Sequence, residues 1–225
     1  LNHAVNMYGL KDNVARKAGT MGKEENKEME FWTQEEVQAF LECVADKPIS
    51  YYAFEMLYWT GIREGELLAL TPGDFNFEKK TLRINKSYQR LEGKDVITDP
   101  KTPKSNRTIV MPDFLAVEME NFISSLYGIR DDDRIFTISK SYLHHEMDRG
   151  AKLAGEKRIR IHGLRHSHIS LLINLGFSAL AIGERVGHEA VDITYHYAHL
   201  FPTVQTDMAA QLETEREALV NVRKE

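Results

Sequence analysis

The sequence predicts an α+β fold: a mainly helical domain carrying one small antiparallel β-sheet of about three strands. Three observations lead there. Apolar residues recur at helical spacing from Thr33 to about Leu70 and again beyond Asp113. Between Asp74 and Val110 the pattern changes to period two. Glycine or proline closes several of the helical stretches. At 225 residues, 42% hydrophobic and 28% charged, the chain is long enough to bury a sizeable core and ordinary in composition for a globular protein.

Residues 1–19 read as the end of a preceding helical unit, with Leu1 to Val5 as a helix tail. Residues 20–30 are polar and charged, as a linker is, although a disordered leader on a single domain has the same composition. Order is expected from Thr33, where Thr33-Gln34-Glu35-Glu36 forms a capping box and Trp32 with Val37 a hydrophobic staple. Val37, Phe40, Leu41 and Val44 then share one helical face. A second helix from Ser50 to Thr60 turns Phe54, Leu57 and Tyr58 inward and ends at Gly61. A shorter one, Arg63 to Leu70, stops before Pro72. Phe75, Phe77, Leu82, Ile84, Val96, Ile97 and Ile109 mark the strands. Helices resume near Asp113, with Phe114, Val117, Met119, Phe122 and Leu126 as apolar positions. Others follow over 140–154, 163–175, 178–186 and 203–222.

The net charge of −5 speaks weakly against a polyanionic partner, but the charges are segregated. Acidic residues gather in Glu24–Glu30, Asp131–Asp133 and Glu213–Glu217, basic ones in Lys79–Arg90, Lys101–Arg107 and Lys157–Arg165. One basic face is expected, and DNA affinity that falls steeply with salt. No apolar run approaches the ~20 residues of a membrane span. The single cysteine, Cys43, has no internal disulfide partner, which fits a cytoplasmic setting; between Leu41 and Val44 it reads as a small core residue.

Chemistry-bearing side chains concentrate in four strings: Thr60-Gly61-Ile62-Arg63-Glu64-Gly65-Glu66, His162-Gly163-Leu164-Arg165-His166, Gly187-His188, and Thr194-Tyr195-His196-Tyr197-Ala198-His199. Guanidinium forks bind phosphate oxygens in pairs, imidazoles move protons near neutral pH, and a phenol can act as nucleophile. That inventory suits a phosphodiester. Each residue also has a plainer reading. Arg63 can pair with Glu64 or Glu66 on its own helix, Arg165 can be a buried structural arginine, and His162 or His188 can cap a helix. Tyr195 and Tyr197 can be core residues, and Lys101, in Pro100-Lys101-Thr102-Pro103-Lys104, a solvated turn residue. His162 and His166 have i, i+4 spacing, yet the glutamate of a zinc-protease helix and an obvious third ligand are lacking. His166 and His168 therefore read as packing or hydrogen-bonding residues.

At these residues the chain resembles the catalytic domain of the tyrosine recombinases, the phage integrase family, and within it the integrases of conjugative transposons. The likeness runs from about Phe31 to the C-terminus. It rests on HGLRH, VGH and TYHYAH in that order, with Arg63 upstream and Lys101 between. Gly163 departs from it, since many relatives carry an acidic residue there. The resemblance implies that residues 31–225 are a catalytic domain and residues 1–19 the remnant of an N-terminal helical DNA-binding domain. The implied activity is site-specific DNA recombination or integration through a 3′-phosphotyrosyl intermediate, with neither metal nor other cofactor. Tyr197 is the implied nucleophile, selected by Thr194 three residues before and His199 two after, with Tyr195 as a packing residue and His196 and His199 in support. Arg63, oriented by Glu66, and Arg165 would stabilise the phosphorane. His162 and His188 would supply hydrogen bonds and proton movement, and Lys101 would protonate the leaving 5′-oxygen. Implied partners are double-stranded DNA, further copies in a homotetramer that exchanges the segment after Phe201, and an accessory DNA-bending or directionality factor. A type IB topoisomerase, a DNA-binding module with an inert site and a metal-dependent hydrolase are the rival classes. Religated products, an incomplete residue set and EDTA sensitivity respectively would mark them.

Overall fold

The computed structural model describes residues 2–14, 30–99 and 105–188, and Asp192, Tyr197 and Leu212 singly. Lys101, Thr194, Tyr195, His196 and His199 lie outside the described residues. So do the expected linker, apart from Glu30, and the expected helix over 203–222, apart from Leu212.

After a short helix α1 (Asn2–Met7), the domain begins with α2 (Gln34–Val44). Its capping box forms as expected: Glu36 accepts from the Thr33 backbone N–H at 2.6 Å, and Thr33 Oγ1 accepts from that of Glu36 at 3.3 Å. Val37, Phe40, Leu41 and Val44 are all buried. This face packs on α6 (Lys140–Ala154) so closely that a Cβ at Gly150 would lie 2.5 Å from the Phe40 ring. A larger residue at Gly150 would force the two helices apart.

Helix α3 (Pro48–Thr60) starts two residues earlier than expected, because Pro48 at the first turn already has helical φ and lacks only an N–H the helix does not use. It is buried on most sides, packing against α2, against α5 (Asp113–Ser125) and against α7 (Ile161–Asn174). Gly61 ends it with φ +64° and donates its N–H to the Leu57 carbonyl. The helix expected over 63–70 is only α4 (Glu64–Leu67). Leu67, Leu68, Ala69 and Leu70 are all buried, and an amphipathic helix on a core buries one stripe rather than four successive side chains.

The strands divide differently from the expectation. A three-stranded antiparallel sheet has the order β1 (Phe75–Asn76), β2 (Thr81–Ile84), β5 (Arg107–Val110), with Leu82 opposite both Phe75 and Ile109. The segment containing Val96 and Ile97 does not join it. It forms a separate hairpin, β3 (Ser87–Leu91) with β4 (Lys94–Thr98), whose two-residue turn Glu92-Gly93 has positive φ at both positions.

Helix α7 begins at Ile161, two residues before the expected start, so His162 stands in its first turn. Helix α8 (Ala179–Val186) is capped by Ser178 and ended by Gly187 at φ +71°. It packs on α7 and β5, which brings the carboxyl end of α8 to the side of the carboxyl end of α3.

Candidate active site

Two helix ends and one carboxylate set the geometry of the arginines. Arg63 caps α4: Glu66 accepts from its backbone N–H and from Nη1, both at 2.9 Å. The other fork, Nη2, reaches the Gly187 carbonyl at 3.4 Å, and the side chain stays about one-third exposed. Both paired readings of Arg63 therefore hold together, since Glu66 is its salt-bridge partner and also fixes its direction. Glu66 carries a second arginine. Arg107 binds both carboxylate oxygens, at 3.1 and 2.9 Å, and donates Nε to the Arg185 carbonyl at 2.9 Å. Burial works against an ionised Glu66. The hydrogen bonds and charge of Arg107, then those of Arg63, outweigh it and hold the carboxyl below its usual range.

Arg165 is 1% exposed, the largest fully buried side chain of the domain. Its Nη1 donates to the Gly61 carbonyl and its Nη2 to the Val186 carbonyl, each at 2.5 Å. Those are the terminal carbonyls of α3 and α8, the ends where the peptide dipoles favour a cation. Burial, then the charges of Arg63 and Arg107, lowers its pKa to about 9, so it remains protonated at neutral pH. Nε is buried and has no hydrogen-bond partner among the described residues. Gly61 serves this contact twice. Its left-handed φ turns the carbonyl to Arg165, and a Cβ there would come within 2.5 Å of His168.

His168 and Arg185 fix the relation of α7 to α8. Arg185 Nε donates to His168 Nε2 at 3.1 Å, while its Nη groups reach the carbonyls of Val110 and Trp59, both at 3.0 Å. Burial above all, with the charges of Arg185 and Arg165, drives the His168 pKa to about 3, so it serves as a neutral acceptor.

The other titratable groups gather around Arg165. His162 lies one turn before His166, their rings edge to face at 4.8 Å. Burial, then Arg165 and Arg63, lowers the His162 pKa. His188 follows Gly187 and donates its backbone N–H to the Gly183 carbonyl; burial and then Arg165, Arg63, His162 and Arg107 take its pKa to about 4. Tyr197 is 2% exposed, with its hydroxyl hydrogen-bonded to His166 Nδ1. Burial pushes its pKa above that of a free phenol, and only Arg165 pulls the other way. Arg63, His162, Arg165, His188 and Tyr197 thus converge through contact or charge. Lys101 has no described position; Asp99 and Ser105, which precede and follow it in sequence, line a groove together with Arg63, Glu66 and Lys86.

Sequence reasoning missed Arg107 and Arg185 as parts of this arrangement. For Arg107 the signal was present: it has the same strand parity as Ile109, which faces the core. An arginine at an inward strand position calls for a buried carboxylate, and Glu66 is that carboxylate. Arg185, in the last turn of an amphipathic helix, gave no comparable sign. Among the described residues no group of three or more His, Cys, Asp or Glu side chains is placed to hold a metal ion, and no helix is long and apolar enough to cross a membrane.

Comparison with known proteins agrees with this geometry. Residues 30–203 match the phage integrase family. The ICEBs1 integrase of Bacillus subtilis is 32% identical over 217 residues, which cover 90% of this chain and 58% of that protein. The integrase of Staphylococcus phage L54a is 31% identical over 179 residues, covering 72% of this chain and 51% of that protein. The chain thus spans a little over half the length of these curated relatives. The Tn1549 transposon integrase, solved in complex with a circular intermediate DNA, superposes with a TM-score of 0.70 at 21% identity, over 87% of this chain and 68% of that one. The catalytic domain of bacteriophage HP1 integrase gives 0.58 at 20% identity, over 82% and 95%. At these identities the structural likeness is one of fold.

Proposed function

The chain belongs to the phage integrase family, and on that premise we propose that it cuts and rejoins double-stranded DNA at specific sites, with Tyr197 as the nucleophile. One observation carries the reading. Arg63 and Arg107 share the single carboxylate of Glu66, whose charge also reaches Arg165, and the buried Arg165 keeps an Nε–H without a partner among the described residues while its charge acts on the Tyr197 phenol. Such a centre has positive charge and donors to spare, and a phosphodiester supplies what it lacks.

The chemistry follows from the electrostatics. The Tyr197 oxygen attacks the phosphorus, the P–O5′ bond breaks, and a 3′-phosphotyrosyl ester and a free 5′-hydroxyl result. About one free phenol in a thousand is ionised at pH 7, and burial lowers that fraction further for Tyr197. The phenol proton must therefore leave as the attack proceeds. Arg63 and Arg165 stabilise the phosphorane oxygens from positions fixed by Glu66 and by two helix ends. His162 and His188 are neutral at pH 7 and act as N–H donors to the phosphate, whose charge would raise their pKa values once bound. The ester conserves the energy of the broken bond, so rejoining requires no nucleotide. Lys101 is the proposed acid for the departing 5′-oxygen. A bridging 5′-sulfur, which leaves without a proton, should rescue Lys101→Ala and not Arg165→Ala.

Around this centre we place DNA-bound copies in a tetramer, coordinated by the segment after Phe201. Truncation at Thr203 should impair strand exchange. The deciding experiment is trapping on a nicked suicide duplex. Tyr197→Phe should form no covalent adduct while binding DNA as before; an adduct that survives in it and disappears in Tyr195→Phe would move the nucleophile.

A further inference from the structure

Among the described residues, one side chain is placed to take the proton of Tyr197. Tyr197 is 2% exposed, and its hydroxyl is hydrogen-bonded to His166 Nδ1. The pair is competent for proton transfer in the tautomer that carries its ring proton on Nε2, where Nδ1 of His166 accepts from the phenol. The rings are 5.8 Å apart and tilted by 48°, so the phenol approaches the ring edge, where the nitrogen lone pair lies.

His162 and His188 are poorer bases for this step. His162 is exposed and His188 half-buried, and for both the guanidiniums of Arg165 and Arg63 penalise a third positive charge. Helix α7 resolves the conflict by spacing. Arg165 and His166 are adjacent and therefore point about 100° apart around the helix. The phosphate-binding charge and the acceptor for the phenol are delivered by one rigid element and kept on different faces of it. His162, one turn earlier, touches the His166 ring edge to face and links the two.

We propose that His166 is a catalytic residue, the base that takes the Tyr197 proton during strand cleavage and returns it during rejoining. The proposal rests on Tyr197 being the nucleophile. In cleavage the phenol O–H breaks as the O–P bond forms, the proton passes to Nδ1, and the 5′-oxygen departs with a proton from the acid on its own side. In rejoining the 5′-hydroxyl attacks the phosphotyrosine, and the imidazolium of His166 reprotonates the tyrosine oxygen as it leaves. Atoms and charges balance in both directions. His162 and His188 then keep their N–H groups for the phosphate throughout.

The test pairs a substitution at His166 with a change in phenol acidity. Single-turnover adduct formation on a nicked suicide duplex is measured for the protein and for His166→Gln, each with tyrosine or 3,5-difluorotyrosine at position 197. General-base catalysis contributes about 10²–10⁴-fold, so His166→Gln should slow the tyrosine enzyme by that factor. The more acidic fluorinated phenol needs less help, and with it the same substitution should cost at least about tenfold less. His166→Asn, which keeps a polar atom near the Nδ1 position, serves as a second variant should the glutamine not fold, and the same narrowing is expected. A gap equal for both phenols would mean that His166 only packs and would overturn the proposal, as would a loss below about threefold. Adducts that form with phenylalanine at 197 would instead overturn the assignment of the nucleophile, a separate and distinguishable failure.

Discussion

Helix α3 carries two polar clusters that treat buried charge in opposite ways. At its carboxyl end, Gly61 hands a carbonyl to Arg165, and Glu66 is gripped by Arg63 and Arg107. Six residues before Gly61, Glu55 is 5% exposed near Glu118 on α5, with Tyr51, Tyr52 and Trp59 about it. There each carboxylate keeps a buried Oε2 without a hydrogen-bond partner among the described residues. The first cluster holds its charges: Glu66 is pushed below the usual carboxylate range and Arg165 remains a cation. The second sheds them: burial, then the charge of Glu118, raises the Glu55 pKa to about 7. A buried charge persists where a countercharge or aligned carbonyls accompany it, and takes up or loses a proton where they do not. The charged cluster is the one suited to meet a phosphate.

Removing the cation from the first cluster should have the largest effect. Arg165→Ala should lower the cleavage rate by about 10²–10³ or more. It should also leave the Gly61 and Val186 carbonyls unsatisfied, at about 1–3 kcal/mol each. Cleavage on suicide DNA and urea unfolding report the two separately, and a variant that still cleaves within tenfold of the parent would break the comparison. Glu66→Gln removes the shared countercharge and strands Arg107, so a loss of about 3–5 kcal/mol is expected in unfolding at pH 7. A loss below about 1 kcal/mol would mean that Glu66 does not hold the cluster.

The acidic cluster sharpens the contrast through pH. Glu66 is depressed, so its contribution is present above the unfolded carboxylate pKa and is lost as pH falls through its lower folded value. Glu55 is raised. Its neutral form fits the fold below the unfolded pKa, and stability is lost as pH rises from about 4.5 through about 7. Glu55→Gln should therefore stabilise the protein at pH 8, by about 3 kcal/mol at most, and leave it nearly unchanged at pH 4.5. Unfolding at the two pH values would show it, and an equal effect at both would contradict a protonated Glu55. The smallest change is expected for Glu118→Gln. Without that neighbour the decline in stability should still begin near pH 4.5 but level off below pH 7, and it should not vanish, because burial outweighs Glu118 as the cause.

Local signals in the sequence were read correctly where the physics is local. The Thr33–Glu36 capping box, the ending of α3 at Gly61 and the inward face of α2 each depend on residues within a turn of one another. The short α4 and the separate β3–β4 hairpin were misjudged for the converse reason. Whether 68–70 continue a helix, or 94–98 join the sheet, depends on which distant surface is waiting to be covered.

The same division runs through the candidate site. Composition and order of the strings around Arg63, Arg165, His188 and Tyr197 determined by themselves which kinds of side chain were available and that they suit a phosphodiester. Only the tertiary structure decided their partners. Arg165 meets a carbonyl 104 residues away, Arg107 meets a carboxylate 41 residues away, and Tyr197 meets His166, 31 residues away. Periodicity states which face a side chain occupies. A hydrogen bond also requires the opposite face, and that is supplied when α3, α7 and α8 pack and bring two helix ends against one arginine.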